Sequence, residues 1–475
     1  MSELLTDNGK KDGQTKEQPA PSKLTLRSYQ VGFGDCYMLS FHYTDKQRHV
    51  LIDFGSTGRP KNADKDLMMN VARQVHAHCK GELDVLVATH RHQDHISGFA
   101  TSHSAGKQDT GDIIRSCKPK VVIMPWTEDP KAETDAKHAT EVKDEADAKR
   151  KAFTQTLHHM HAVAASVARE EKHLRFGLEG NVSRQLAFLG EDNLKNLSAV
   201  KNLLEMGAEG RPLFVRYQDE PLDLHNELPG VTVRVLGPPD LTQSDKITSM
   251  RSKDAEQFWM LQAAVGRATV QTNKATDDYL FHPAATGNSL PVALHLTPPH
   301  ARWFIRKMNC VRGHQLLELV RTLDAVLNNT SVILLFEVGG KKLLFPGDAQ
   351  LENWNYALSQ KNIVKMLADV DVYKVGHHGS RNATPQKIWD QFNKKRSKHP
   401  NPSLLKTFMS TLEGKHGGRN PKDPHTEVPR ESLVEALKQE SEYFSTQMLG
   451  QGKLFEEFTI DLQEPATSEL LLCDG

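Results

Sequence analysis

Four short apolar runs of this chain end directly in histidine or aspartate. The run Leu83–Ala88 leads into "THRHQDHISG" (89–98), where three histidines and one aspartate lie within six residues. The other three runs are "HVLI" before Asp53, "KLLFPG" before Asp348, and "DVYKVG" before His377 and His378. Sites in α/β proteins form where buried strands reach the surface, so strands that end in such side chains predict an α/β fold.

Further strand and helix patterns support this fold class. A hairpin is predicted over 330–350, because Gly339-Gly340 joins two apolar runs and permits positive φ. A helix is predicted over 65–79. Other predicted strands occupy two stretches around Gly32–Asp35 and the ranges 49–55, 119–126, 231–239, 369–380 and 403–411.

The length of 475 residues exceeds that of one minimal domain, so a core with large insertions is expected. Residues 1–23 are polar and predict a disordered tail, and 466–475 are expected to form a second tail. The β pattern between them lapses twice. We therefore expect one domain over 24–465 with a helical insertion at about 127–228 and a mixed insertion at about 240–327.

Composition excludes some classes of partner. Sixty Lys and Arg balance sixty Asp and Glu, so no net charge attracts nucleic acid or a membrane surface. Five scattered cysteines without a Cys-x-x-Cys spacing indicate reduced thiols. No signal-peptide pattern and no run of 18 apolar residues is found, so we expect a cytoplasmic protein without membrane contact.

The histidines and aspartates have the chemistry of a metal site. Imidazole nitrogens and carboxylate oxygens suit zinc, manganese and iron, and a carboxylate can bridge two ions. His90 and His92 can face one ion, and Asp94 and His95 can face a second. The sequence therefore predicts a centre of two divalent metal ions, with zinc favoured and manganese or iron as alternatives.

The motif "THRHQDHISG" resembles the signature of the metallo-β-lactamase-fold hydrolases. Together with "QVGFGDCYML…VLIDFG", "LLFPGD", "YKVGHHGS" and "NPKDPHTEVPRESLVEAL", it resembles the hydrolase domain of the ComEC-type DNA-internalisation competence proteins. These matches are scattered over about 25–425. The resemblance implies an αββα metallo-β-lactamase sandwich with the metals at one edge, and it leaves the two large insertions unexplained.

The resemblance also implies a role for each matched residue. His90 and His92 would bind the first metal, Asp94 and His95 the second, and Asp348 would bridge them. His377 would complete the second metal, with His378 beside it as a ligand or proton donor, and the order of these two is open. Asp53 would orient the motif loop. The implied catalytic residues are Asp94, His378 and His425.

One feature departs from the superfamily pattern. Many members have a further histidine ligand after a strand between the main motif and the bridging aspartate. Here Trp126 and Pro238-Pro239 follow the strands in that interval. His295 and His300 are weak candidates for this ligand, so the first metal is expected to be held less completely than the second.

The leading hypothesis is a metal-dependent hydrolase that cleaves phosphodiesters in the manner of a nuclease, with a metal-bound hydroxide as nucleophile. Lys374 or Arg381 would stabilise the developing charge. The basic run "NKKRSKHP" (393–400) is the local patch through which a nucleic acid would bind. The alternatives are hydrolysis of a small ester, lactam or thioester, or a component whose insertions bind a protein partner around a retained metal site.

Overall fold

The structure is a computed structural model. It describes residues 20–102, 106, 108–130, 196–244, 246, 327–380, 384–398, 404–412, 414 and 428–462. Nearly all of the expected N-terminal tail, the whole expected C-terminal tail and most of both expected insertions lie outside these residues.

The described chain contains two mixed β-sheets. The strands of the first are β1 (Lys23–Tyr29), β2 (Cys36–His42), β3 (Gln47–Phe54), β4 (Val85–Val87), β5 (Val121–Pro125) and β6 (Arg211–Val215). Those of the second are β7 (Thr232–Gly237), β8 (Ile333–Val338), β9 (Lys341–Phe345), β10 (Val372–Lys374), β11 (Lys406–Met409) and β12 (Glu442–Ser445). The last strand, β13 (Phe455–Asp461), returns to the first sheet.

Each sheet is antiparallel at one side and parallel at the other. The first has the order β13-β1-β2-β3-β4-β5-β6, and the strands from β3 to β6 are parallel. The second has the order β12-β11-β10-β9-β8-β7, and the strands from β9 to β12 are parallel. Parallel strands end at the same edge, so each sheet presents several strand ends together.

Eight described α-helices accompany the sheets. They are α1 (Leu67–His78), α2 (Gln93–Ile96), α3 (Thr110–Ser116), α4 (Leu197–Glu209), α5 (Leu351–Ser359), α6 (Lys361–Ala368), α7 (Gln386–Trp389) and α8 (Glu431–Glu440). Within the described residues, no helix is long and apolar enough to cross a membrane.

The side chains of most strands are buried on both faces, whereas the edge strands β6, β12 and β13 are partly exposed. In β8, Leu334, Phe336 and Val338 lie in the core between the two sheets, whereas Ile333 and Leu335 pack outward against helices. The outer face of the first sheet packs against α1, α3 and α4, and that of the second against α5 to α8. The predicted α/β class is confirmed as a mixed α/β structure with helices outside two sheets.

The predicted hairpin is present as β8 and β9, with Gly339 at φ 51° and Gly340 at φ 70°. The expected helical insertion, however, contains part of the core. Strand β6 lies within 127–228 and pairs in parallel with β5. Its sequence "RPLFV" includes Pro212 and is only half-buried for most of its length, because it forms the edge of the sheet. An edge strand does not need the long apolar run by which buried strands are recognised.

The core between the sheets supplies a stability prediction. Phe336 is 1% exposed and meets Phe345 edge to face, with the ring centroids 5.9 Å apart. Phe336→Ala should lower the free energy of unfolding by about 3–5 kcal/mol, because it removes apolar contacts and leaves a cavity. Phe336→Leu keeps most of the volume and should cost about 1 kcal/mol. Urea unfolding followed by circular dichroism measures both, and equal losses would contradict this packing.

Candidate metal centre

Asp53 holds the motif loop at the end of β3. Its carboxylate is buried and accepts three hydrogen bonds, from the amide of Thr89 (2.7 Å), the hydroxyl of Thr89 (2.7 Å) and Nδ1 of His95 (2.7 Å). The Nδ1 atom of His95 therefore carries a proton, and Nε2 is the nitrogen that is left to face another group. This is the orienting geometry that the resemblance implied for Asp53.

Four of the sequence-selected side chains converge beside this loop. One donor atom each from Asp94, His95, Asp348 and His378 lies within 4.8 Å of all the others. The Nε2 of His95 lies 3.0 Å from Oδ2 of Asp348, and the Nε2 of His378 lies 3.0 Å from Oδ2 of Asp94. We call these residues the four-donor group. Their nitrogen and oxygen atoms are those that bind zinc, manganese or iron.

The ring of His378 is oriented in the same way as that of His95. Its Nδ1 donates to the carbonyl of Ser410 at 2.9 Å, so Nε2 is the nitrogen that faces the group, where it lies 3.0 Å from Oδ2 of Asp94. Phe33 packs against the ring, with the centroids 4.3 Å apart. Both neighbouring histidines lie in the left-handed region, His377 at φ 43° and His378 at φ 52°. A sharp turn after β10 thus aims His378 into the group.

His377 has a different environment. Its side chain is 28% exposed, its Nδ1 is 2.7 Å from the hydroxyl of Ser380, and its Nε2 is 4.0 Å from Oδ2 of Asp348. The resemblance had placed His377 as the ligand and left the order of the pair open. In the structure it is His378, and not His377, that joins the four-donor group.

Two donor atoms of the four-donor group are buried without a well-directed hydrogen bond. They are the Nε2 of His95 and the Oδ2 of Asp348, which face each other at 3.0 Å. Buried polar atoms normally have partners, and a divalent cation between these two would satisfy both. The residues present therefore fit a metal ion.

His90 and His92 form a neighbouring pair. The Nε2 of His90 lies 3.0 Å from Nδ1 of His92, and the rings of His90 and His95 are 4.2 Å apart. Among the described residues, His90 and His92 are not part of a group of three or more side chains whose metal-binding atoms all lie within 4.8 Å of one another. They stand beside the four-donor group as two imidazoles without a described third ligand.

The strand end that carries a further histidine in many superfamily members is occupied by an ion pair. After β5, Glu128 receives two hydrogen bonds from the guanidinium of Arg91, which lies between His90 and His92. Trp126 donates from its indole to the carbonyl of Pro239 at 3.2 Å. These residues pack the motif loop against β5 and do not offer a ligand. His295 and His300 lie outside the described residues.

The sequence analysis did not assign a role at the site to Asp35. Its carboxylate is buried, with one oxygen 3.6 Å from Nδ1 of His95 and the other 3.6 Å from Nδ1 of His378, and it forms an ion pair with Lys374. The signal that could have revealed it is the preceding glycine. A Cβ atom on Gly34 would stand 2.1 Å from the carbonyl oxygen of Gly55. Only glycine lets this loop pack so closely against the site.

The charges of the site are coupled through the interior. Burial opposes protonation of His95, yet the carboxylates of Asp348, Asp53 and Asp35 outweigh burial and raise its pKa well above the ordinary value. Burial likewise opposes protonation of His378, and Asp348 and Asp94 reverse the effect and raise its pKa. The excess of carboxylates therefore attracts positive charge to the place where a metal would lie.

The pKa of Asp348 is lowered. Burial alone would raise it, but His95 and His378 hold it well below the usual range.

The pKa of His90 is lowered too. Burial and the neighbouring rings of His95 and His92 bring it well below its ordinary value. The ring of His90 is therefore neutral and can offer a nitrogen lone pair.

Other residues with predicted roles in binding substrate do not lie where a substrate would meet the centre. Lys374 is 2% exposed and lies behind the four-donor group, so it does not meet a substrate. In the basic run, Lys394 binds Asp371 at 2.7 Å, just before β10 begins, whereas the four-donor group lies beyond the end of that strand. Binding of a nucleic acid through this run stays a prediction. His425 and Arg381 lie outside the described residues.

Comparison with protein-family models and with curated proteins finds no match for this chain.

Asp53→Asn tests the support of the motif loop. An amide cannot accept all three hydrogen bonds, so the ring of His95 should lose its orientation and zinc affinity should fall about 10–100-fold. Asp84→Asn is the matched control. Asp84 is a buried carboxylate just before β4 that accepts from Arg48, Lys120 and the amide of His49. Competition with a chromophoric chelator measures affinity, and equal losses in both variants would contradict the role of Asp53.

Metal binding should also release protons and become tighter as the pH rises. The raised pKa values of His95 and His378 keep protons on these rings at neutral pH, and the protons must leave before a metal binds. Calorimetry in buffers of different ionisation enthalpy counts the protons. His378→Ala should release fewer. His49→Ala should release as many as the wild type, because burial lowers the pKa of His49 to about 4. The same count in all three proteins would refute the exchange.

Proposed function

We propose that this chain is a metal-dependent hydrolase with a metallo-β-lactamase fold. Two features support the fold: the two sheets share an apolar core and carry helices on their outer faces, and the candidate ligands lie in the loops at one edge. The motif resemblance points to the same superfamily independently of the coordinates. Neither feature alone would select a function.

The observation that carries the proposal is the four-donor group. Its members come from the loops after β4, β9 and β10, and they are separated by as many as 284 residues in the chain. A largely buried cluster of two imidazoles and two carboxylates, of which Asp94 is 14% exposed, is costly to assemble unless a cation compensates it. Such a cation would acidify a bound water and polarise the bond to be cleaved.

The charge of the surrounding residues fits a centre of one or two divalent ions. The carboxylates of Asp35, Asp53, Asp94 and Asp348 carry four negative charges and Lys374 carries one positive charge, so the sum is −3. One divalent ion would bring the sum to −1, and two would bring it to +1. Two ions are proposed because His90 and His92 offer two further nitrogens beside the four-donor group. The proposed ions are zinc, manganese or iron.

The exposure of the side chains indicates which of them could take part in the reaction. Asp94 is 14% exposed while His95, Asp348 and His378 are at most 1% exposed, so the centre opens to solvent on the side of Asp94. Asp94 can therefore accept a hydrogen bond from the attacking water and orient it. The Nδ1 proton of His378 is committed to a carbonyl. His377, more exposed and hydrogen-bonded to Ser380, is better placed to donate a proton to a leaving group.

The choice of phosphodiesters as substrates rests on the resemblance to the ComEC-type hydrolase domains. Polynucleotide binding through the basic run draws no support from the position of Lys394 at the other end of β10. Small esters, lactams and thioesters, which the same centre could hydrolyse, are the alternative substrates. Partner binding through the insertions concerns residues outside the described ranges and stays a prediction.

The proposal is tested by hydrolysis assays with zinc or manganese added. Labelled DNA and RNA strands, bis(p-nitrophenyl) phosphate, a chromogenic cephalosporin and p-nitrophenyl acetate cover the substrate classes. Asp94→Ala should reduce turnover of the true class by roughly 10²–10⁴-fold, the range for a group that orients the nucleophile or handles its proton. The control is Asp371→Asn, at the other end of β10.

Three results would count against the proposal in different ways. Turnover of the cephalosporin or acetate alone would replace phosphodiesters as the substrate class. Turnover that survives both a chelator and Asp94→Ala would refute a metal-dependent reaction at this centre. Bound metal without turnover of any substrate would favour a binding protein.

A further inference from the structure

The two oxygens of Asp348 lie in different environments. Oδ1 accepts a hydrogen bond from the amide of His377 at 2.9 Å and lies 3.6 Å from the ammonium of Lys374. Oδ2 faces three imidazoles, those of His95 at 3.0 Å, His378 at 3.8 Å and His377 at 4.0 Å. One oxygen is thus held back toward the protein, and the other is turned toward the place of the metal.

Lys374 reaches Asp348 from behind. It is the last residue of β10, and its side chain is buried. The ammonium donates to the carbonyl of Gly347 at 3.1 Å, directly before Asp348, so it binds both the backbone and the side chain of that loop. The ammonium also forms an ion pair with Asp35 and lies 3.6 Å from Oδ1 of Asp348, so it is a cation held between two carboxylates.

Asp35 holds Lys374 in this position. It belongs to the loop between β1 and β2 in the first sheet, whereas Lys374 belongs to the second sheet, so their ion pair crosses between the layers. The backbone of Asp35 is fixed at both ends, because its amide donates to Asp94 and its carbonyl accepts from Gly55. The Nδ1 atoms of both nearby histidines have closer partners, which leaves Lys374 as the ion-pair partner of this carboxylate.

We propose that Lys374, held by Asp35, is a positioning residue that makes Asp348 a one-oxygen metal ligand. It keeps Oδ1 out of the coordination sphere and leaves Oδ2 to bind or bridge. This inference rests on the proposed metal centre, and it adds a role that the motif alone does not imply.

The consequence of losing Lys374 follows from the geometry of a carboxylate. Without the ammonium, the amide of His377 is the remaining donor to Oδ1 among the described residues. The carboxylate can then rotate and offer both oxygens to one ion, which raises the coordination number of that ion. Cobalt(II) reports such a change, because its visible absorption is strong in four-coordinate sites and weak in six-coordinate sites.

The experiment uses the full chain with cobalt(II) as the probe. Lys374→Met alone would leave Asp35 buried without its partner, and the protein could fail to fold for that reason. The informative variant is therefore Asp35→Asn/Lys374→Met, which replaces the ion pair by neutral groups of similar size. The matched control is Asp371→Asn/Lys394→Met, which removes an ion pair at the other end of β10.

Each protein is titrated with cobalt(II), and its visible spectrum and chelator-competition affinity are recorded together with its thermal unfolding. We expect the Asp35/Lys374 double variant to remain folded, to lose at least half of the visible absorption per bound ion, and to bind cobalt about 10-fold less tightly. The control should show the wild-type spectrum and affinity.

A folded double variant with the wild-type spectrum and affinity would overturn the inference, because the amide of His377 would then suffice to orient Asp348. An equal spectral change in the control would overturn it as well. If the wild type itself binds no cobalt, zinc or manganese, the proposed metal centre fails first and the positioning role fails with it. The two failures are distinguished by the wild-type titration.

Discussion

The carboxylates at the candidate metal centre give this part of the molecule an excess of negative charge. The carboxylates of Asp35, Asp53 and Asp348 are buried, that of Asp94 is 14% exposed, and Lys374 is the described lysine among them. The other features of the centre can be understood as a response to this imbalance. Hydrogen bonds at Nδ1 orient His95 and His378 so that their Nε2 atoms face the carboxylates of Asp348 and Asp94, and the carboxylates raise the pKa values of both rings. A metal ion that took the place of the protons would compensate the same charge.

The sheet topology explains how the charged side chains of the four-donor group come to lie close together. The described residues of the four-donor group follow strands that run in parallel, so the strand ends meet at one edge although they are distant in sequence. Hydrogen bonds also join the two sheets there, for example from the hydroxyl of Ser410 to the carbonyl of Gly34. The ion pair of Asp35 and Lys374 also joins the two sheets. The edge that carries the site is thus also where the two layers are fastened together.

The sequence predicts most of the buried strands and all members of the four-donor group, because both depend on local signals: apolar runs and the residues that end them. It does not predict the edge strands β6 and β13, whose sequences "RPLFV" and "FEEFTID" mix apolar with proline or acidic residues, since one side of an edge strand is exposed. It also leaves the order of His377 and His378 open, because the choice depends on a left-handed turn and on the carbonyl of Ser410, 32 residues away. The sequence does not predict the role of Asp35 for a similar reason, because this role depends on a contact between the two sheets.

The return of the last strand to the first sheet bears on how the protein is synthesised. Strand β1 pairs with β13 along its whole length, and 438 residues separate Lys23 from its partner Asp461. At about 5–20 residues per second, the ribosome takes roughly 20–90 s to supply that partner. For this time β1 presents an open edge on which another chain could pair. Every residue of the four-donor group, and the carbonyl of Ser410 as well, has been made before β13 begins. All four side chains of the candidate metal centre are therefore synthesised while the first sheet still lacks β13.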